Sequence, residues 1–448
     1  MSPVKKRTTK TVSDTVDEQV EKRNRLAELL TIAAQIEHDV MVQYLFAAFS
    51  LKKSVGEGGV TYTELEMMRS WATNMVMVAR QEMEHLGYVS NLLTAIGEAP
   101  ILRRPAFPMS TNKFPLNQPS SLDAFNVATM TRFVCYEMPH TVSAKDAAYL
   151  KKYIPNFNPA TYDGIYKLYM EIESLFEQID AKDLFIGPPS AQILTGGNSV
   201  QVRGRIYPAK NSGTPSPIYD TELLPVTDLA SAKAAIKQVV EEGEGASETS
   251  TTSHFARFME MHMQLTAELA SNPNFQPARN VGSNPRVADG TNISGVTYVN
   301  NSDTVRVMKV FDQAYSTMLL LLMRYFANTD ESQADLVGLQ NTAFFPMMTM
   351  GIRPLAEVLT QLPAYVTAGP LRAGPSFTIP KSVQLLPHRK SAWRTILGEL
   401  QLLTTLAEEV AEIKNFPVEM QNRLQLAYEN FARMTMNFQD AMHARKMQ

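Results

Sequence analysis

The sequence predicts an all-α protein: a four-helix bundle core elaborated with extra helices and long loops, and carrying one small β-hairpin insertion. Three observations carry this expectation. Apolar residues recur at helical spacing over long stretches, most fully over about 20–53 and 63–96. A short Gly-rich loop, Val55-Gly56-Glu57-Gly58-Gly59-Val60, joins those two stretches and folds them into an antiparallel hairpin. Single acids, Glu37 and Glu82, stand on otherwise apolar faces, where an ionised carboxylate is costly unless something pairs with it.

Taken in order, residues 1–20 are polar with Lys5, Lys6 and Arg7 clustered, and read as a disordered arm. Helix 1 is expected from about Val20 to Lys53 and helix 2 from about Thr63 to Ile96, stopped by Gly97. Residues 98–120 are Pro-rich and irregular. A third helix is expected over about Leu122 to Glu137, ending before Pro139, and a fourth over about Tyr162 to Asp180. Glycines, prolines and the alternating run Val200-Gln201-Val202-Arg203 place the hairpin insertion at about 187–227. Further helices follow at about 229–242 and 254–269, the latter after Thr251-Thr252-Ser253, which offer N-caps. An Asn-, Pro- and Gly-rich loop fills 271–302. Helical patterns then run over 303–327, 332–360 with an interruption near Pro346, 389–412 and 417–446. The organisation read from this is an arm (1–20), one main domain (21–377) and a C-terminal helical extension (378–448).

The totals exclude several classes. Across 448 residues the chain is 44% hydrophobic and 19% charged, ordinary for a globular protein. A net charge of −3 gives no global attraction to nucleic acid or to an anionic membrane. One cysteine, Cys135, rules out an intramolecular disulfide and any multi-cysteine metal site. Met1 to Lys10 lacks an apolar signal region, and the longest apolar run, Met318 to Met323, is far too short to span a bilayer, so a reducing cytoplasm is expected. The 25 methionines read as adaptable core packing. There is no Gly-x-Gly-x-x-Gly, Walker A or Gly-x-Ser-x-Gly motif.

The chemistry concentrates on two acids and a histidine. Glu82 and His85, three apart, share a helix face with Trp71, Met75, Val78, Leu86, Val89, Leu92, Leu93 and Ile96. Glu37 shares its face with Leu30, Ala33, Ala34, Met41, Tyr44 and Ala48. A metal ion is one partner that makes such burial affordable; a solvated i,i+3 pair is the plain alternative. Oxygen ligands with imidazole favour iron over copper or structural zinc, with manganese as the second choice. Tyr44 and Glu137 stand as candidate catalytic residues, against a packing tyrosine and an acid bonded to loop amides. His38 falls beside the apolar stripe and is expected in solvent; His262, on a face with Phe255 and Phe258, stays ambiguous.

Several phrases, in order, resemble a known family: Gln43-Tyr44-Leu45-Phe46-Ala47, Glu82-Met83-Glu84-His85-Leu86, Asn91-Leu92-Leu93-Thr94-Ala95-Ile96-Gly97, Tyr136-Glu137-Met138-Pro139, Val226-Thr227-Asp228-Leu229, Glu241-Glu242-Gly243-Glu244-Gly245, Ser253-His254-Phe255-Ala256-Arg257-Phe258, and Ala373-Gly374-Pro375-Ser376-Phe377. The family is the ferritin-like one that includes the iminophenyl-pyruvate dimer synthases of violacein- and rebeccamycin-type bisindole biosynthesis, and the resemblance covers about residues 25–377. It implies a ferritin-like bundle with a carboxylate-and-histidine metal site, in which Glu37, Glu82 and His85 are ligands and His254 is the histidine of a second Glu-x-x-His. The chain departs from that pattern twice. Thr251 stands three before His254, and the remaining bundle acid would fall near Gly164. Sites of one and of two ions are therefore both open. Glu137, Glu171, Glu173, Glu244 and Glu248 are candidates to complete the set: Glu173 because it shares a face with Tyr166, Tyr169 and Phe176, and Glu244 because it lies in a Gly-flanked break. The function implied is a non-heme iron oxidoreductase of specialised metabolism acting on an amino-acid-derived aromatic substrate with dioxygen; a homo-oligomer is left open, since the sequence does not give the oligomeric state. A metal-free scaffold and an iron store are the alternatives.

Overall fold

The computed structural model describes residues 12–103, 106–110, 118–158, 164–193, 223, 225–243, 252–326, 330–367, 369–379 and 385–445. Helix α1 (Val12–Ser50) and helix α2 (Tyr62–Ala95) form the expected antiparallel hairpin. The first begins inside the stretch read as an arm, and residues 1–11 lie outside the described residues. Thr61 and Glu64 form a capping box that starts α2, and Gly97, at φ +82°, lets the chain leave it.

Helix α3 (Val127–Tyr136) is capped by Asn126 and starts five residues later than its apolar pattern suggested, because that side chain accepts the Thr129 N–H. Short α4 (Ala144–Leu150) has no clear sequence signal. Helix α5 (Ile165–Gln178) buries Ile165, Tyr169, Ile172 and Phe176 on one stripe; one-turn α6 (Ala181–Leu184) follows. Helix α7 (Leu229–Gly243) packs on α5 and α2. Helix α8 (His254–Ser271) is capped by Ser253, one of the expected caps, and packs on α3. Around the α1–α2 hairpin these helices make the bundle core, with Trp71, Tyr44, Tyr169, Phe133 and Phe258 among its largest fully buried side chains.

A second helical layer covers the other side of α1. Helix α9 (Ser302–Phe326) is its centre; α10 (Gln333–Thr342), a π-helical segment (Ala343–Ile352) containing Pro346, and α11 (Arg353–Leu359) replace the single interrupted helix. Helices α12 (Arg389–Ala411) and α13 (Val418–Ala444) close the chain as an antiparallel pair packed on α9 and α11. The hairpin expected at 187–227 falls mostly outside the described residues, as does the Val200–Arg203 run that suggested it. The strands that are described lie elsewhere: Arg286–Val287 (β1) and Tyr298–Val299 (β2), two residues each and parallel. No described helix is long and apolar enough to cross a membrane.

This second layer corrects one expectation. His38 is fully buried, not solvated, and hydrogen bonds to the Tyr315 hydroxyl on α9. A pattern read from the α1–α2 hairpin alone cannot anticipate that α9 covers the neighbouring face.

Candidate metal centre

Helical spacing brings the site together. Glu37 and Tyr44 are seven apart, two turns along α1, and so project from one face. Glu82 and His85 do the same on α2. Glu137 is the C-cap residue of α3, Glu242 lies in the last turn of α7, and His254 opens α8. Glu37, Glu82, His85, Glu137 and His254 are all at most 2% exposed.

Glu82 sits between two imidazoles. Its Oε2 is 2.9 Å from His85 Nδ1 and its Oε1 is 2.9 Å from His254 Nδ1. Each histidine nitrogen also faces a second acid: Glu37 Oε2 lies 3.7 Å from His85 Nδ1, and Glu137 Oε2 lies 3.5 Å from His254 Nδ1. Each of these acids is held in turn by a buried tyrosine. The Tyr169 hydroxyl donates to Glu37 Oε1 and the Tyr44 hydroxyl donates to Glu137 Oε1. The two imidazole rings stack with centroids 5.3 Å apart. The result is a near-symmetric pair of half-sites, histidine, acid and tyrosine on each side, sharing Glu82.

The outer edge breaks the symmetry. His85 Nε2 lies 3.2 Å from Glu242 Oε2, and the Gln238 amide, one turn earlier on α7, donates to the other oxygen of Glu242. The Glu242 side chain is 21% exposed, the one acid of the cluster that reaches the surface.

Electrostatics follow from burial and proximity. Burial pushes the Glu37 carboxyl up to about 7, the Glu82 charge adding and His85 opposing. Burial also opposes ionisation of Glu82, but the facing His254 outweighs it and holds the carboxyl below its usual range. Burial resists protonation of His254, yet Glu82 beside it pushes the imidazole up to about 9. His85 is raised too, since its contacts to Glu242, Glu37 and Glu82 overcome its burial. Burial and the adjacent Glu137 and Glu37 raise Tyr44 and Tyr169 well above the ordinary phenol range, so both hydroxyls stay protonated and donate.

The donor set fits a metal. Glu82, His85 and His254 offer one ligand atom each within 4.8 Å of one another, the one such group among the described residues. His254 is fully buried, and neither of its ring nitrogens, nor Glu82 Oε1, has a hydrogen-bond partner among the described residues. The 2.9 Å approach of Glu82 to His254 is thus a convergence of donor atoms without the alignment of an N–H···O bond. Orphaned buried groups of this kind are costly unless a cation gathers them. Four carboxylates with two neutral imidazoles carry a charge that two divalent cations balance. A ligating histidine that gives its second nitrogen to an outer carboxylate is the arrangement seen between His85 and Glu242.

The family model described as ferritin-like matches residues 30–263, over half of the chain. The chain belongs to the ferritin-like family. Across its length this ferritin-like chain is 27% identical, over 437 residues and 92% of its sequence, to dichlorochromopyrrolate synthase of Lentzea aerocolonigenes. It is 28% identical, over 378 residues and 80% of its sequence, to 2-imino-3-(indol-3-yl)propanoate dimerase of Chromobacterium violaceum. The matched regions span 41% and 34% of those two relatives, so the ferritin-like chain corresponds to well under half of each. No solved structure matches it.

Of the residues singled out from sequence, Glu37, Glu82, His85, His254, Tyr44 and Glu137 come together. Glu173 does not. It lies beside the buried stripe of α5, 25% exposed, in an ion pair with Lys233 of α7 at 3.0 Å. Glu171 is exposed and pairs with Arg25. Glu244, Glu248 and Thr251 lie outside the described residues. Gly164 brings no acid, and a Cβ there would stand 3.0 Å from the Met138 carbonyl oxygen, a contact that asks the backbone to shift. Glu137, reaching in from the end of α3, supplies a carboxylate instead. Glu242 was not singled out. Its signal lay in the helix wheel: Ala232, Ala235, Ile236 and Val239 are buried on α7, and 242 continues that face where 241 does not.

Proposed function

We propose that the chain is a metal-dependent oxidoreductase of specialised metabolism. It holds iron, as a pair of ions, and oxidatively couples an amino-acid-derived aromatic substrate, in the first instance an indole-bearing 2-imino acid, with dioxygen as oxidant. The observation that carries this reading is Glu82, whose two oxygens each stand 2.9 Å from the Nδ1 of a different buried histidine. The names of the two relatives, a synthase and a dimerase, support the substrate class. Glu37, Glu82 and Glu137, with Nδ1 of His85 and of His254, hold the iron; Glu242 orients His85 from outside. Iron bound there supplies the electron transfer that coupling requires. Joining two monomers through one new bond removes two electrons and two protons, which dioxygen accepts on leaving as hydrogen peroxide.

The chain's own groups shape the environment. Tyr44 packs on Phe133 and Phe258, with centroids 4.6 and 4.7 Å away, an apolar wall beside Glu137 that excludes water. Tyr44 and Tyr169 keep their protons and fix the outer oxygens of Glu137 and Glu37, leaving the inner oxygens turned toward the histidines. We place the protein in the cytoplasm.

The test is metal content after anaerobic purification, followed by oxygen uptake and mass spectrometry with freshly generated 2-imino-3-(indol-3-yl)propanoate. The expected result is about two irons per chain, lost in Glu82→Ala and His85→Ala variants that remain folded, with peroxide formed as dimer appears. Full dimer formation by metal-free protein would sink the reading. Dimer formation that needs added hydrogen peroxide and consumes no oxygen would keep the metal and replace the oxidant.

A further inference from the structure

A cavity lies beside the 120–122 segment, which bonds to the face of α1 turned away from the metal centre. Glu37 and Tyr44 face the metal centre, whereas Asp39 and Gln43 project from the opposite face, where they bond to each other and to the 120–121 segment. An α-helix is about 10 Å thick with its side chains, so the two regions are separate. The cavity encloses about 210 Å³. That is below the roughly 300–1,000 Å³ of drug-sized pockets and suits only a small ligand.

Its walls are mostly apolar: Phe107, Leu122, Pro285, Phe377 and Ile379. All but Ile379 are buried. One cation, Arg286, stands among them. Its guanidinium donates to the Phe107 carbonyl, and it has no ion pair within 4 Å among the described residues. Asp289, on the exposed turn that follows, feels its charge only weakly and spends its carboxylate on Thr291. The polar remainder of the lining is already committed. Asn284 accepts the Leu122 N–H and donates to Ser121 and Gly295, while the Ser376 hydroxyl and the Thr378 N–H both donate to Asp312. A ligand entering here meets rings, aliphatic side chains and one positive charge that no described acid touches.

The backbone of the same cavity is held in an uncommon conformation at two points. Asn284 has φ +45° and Phe377 has φ +48°. Asparagine tolerates the left-handed region, but a bulky residue such as phenylalanine adopts it only when its surroundings impose it. The Phe377 ring is fixed against Phe311 and Tyr315, with centroids 4.9 and 5.2 Å away. Strain of this kind collects at ligand clamps.

We propose that this cavity is a binding site for a small carboxylic acid with a flat apolar body, the carboxylate on Arg286 and the body between Phe107, Leu122 and Phe377. The site is independent of the metal centre and does not rest on the coupling reaction. A guanidinium binds a carboxylate through two parallel hydrogen bonds, and aromatic and aliphatic walls take the body.

The test uses 3-phenylpropionate and its neutral isostere 3-phenylpropanamide as probes, titrated calorimetrically into the full chain and into four variants. In Arg286→Met the acid weakens at least tenfold while the amide stays within twofold; Arg286→Lys recovers part of the acid's affinity. Ile379→Trp, which fills the mouth, removes both probes. His85→Ala, at the metal centre, leaves both unchanged. Circular dichroism and thermal midpoints identify any variant that fails to fold, and the folded variants decide the outcome. Three outcomes overturn the proposal: no binding of the acid to the parent chain, equal binding in Arg286→Met and Ile379→Trp, or loss only in His85→Ala. The last would put the acid at the metal centre instead.

Discussion

Replacing Glu242 by glutamine separates two roles that the cluster geometry assigns to different acids. Glu242 meets His85 at Nε2, 3.2 Å away, whereas Glu82 and Glu37 meet the same ring at Nδ1. One ring nitrogen cannot both hold a cation and give a proton to an acid. With Nδ1 turned to the cluster, Nε2 donates outward and Glu242 sets the ring's tautomer and tilt. Loss of such an outer carboxylate costs roughly 10–100-fold in metal affinity, or about 1.4–2.7 kcal/mol. Glu242 is 21% exposed, so solvent replaces part of its effect, and about tenfold is expected. The Gln238 amide, which now donates to Glu242, meets an amide oxygen in the variant and keeps the side chain in place. The assay is anaerobic chelator competition for Fe(II), with total metal counted separately at saturation. Affinity should fall about tenfold at unchanged stoichiometry, whereas Glu82→Gln should lose metal from the count itself. A Glu242→Gln protein that drops one ion per chain at saturating iron would refute the reasoning and make Glu242 a ligand.

Two further outcomes concern pH. In metal-free protein His254 is raised to about 9, above its unfolded value near 6.5, so its contribution to stability is complete below the unfolded value and is lost as pH rises through about 9. Metal requires the imidazole neutral, so apparent iron affinity rises over the same interval, and the midpoint gap between iron-loaded and metal-free protein should widen from pH 6.5 to 9 in thermal melts. His262 behaves oppositely. Burial lowers it to about 4, and the ring stays neutral between the Thr131 and Tyr149 hydroxyls. Stability tied to it is present above about 6.5 and is lost as pH falls toward 4, a term of order 1–3 kcal/mol. Denaturant titrations across that window should show a shallower acid slope in His262→Gln than in the parent; equal slopes would remove the assignment.

How much of this was legible depended on which side chains declare themselves by periodicity. Glu82, His85 and Glu37 did, because three- and four-residue spacing puts them on unmistakably apolar faces of long helices. Glu137 was visible but ambiguous, since an acid at a helix end serves equally well to bind loop amides. Glu242 was hidden by its neighbour Glu241, and separating the two needed the burial of Val239 and Ala235 one and two turns back. Glu173 lies at the edge of the buried stripe of Ile165, Tyr169, Ile172 and Phe176 rather than within it, and pairs with Lys233 instead. Most of the helical layout followed from caps and prolines: Asn126 and Ser253 start helices where their side chains accept an N–H. What no local pattern carried was coverage. Only the meeting of α1 and α9 in space explains why His38 bonds to Tyr315.

The split between α7 and α8 has a consequence of its own. In an unbroken Glu-x-x-His the two side chains ride one rigid rod, and neither can shift without dragging the other. Here Glu242 ends one rod and His254 begins another, with residues 244–253 spelling out the join. The cluster thus draws its outer acid and its second histidine from two separate helix ends.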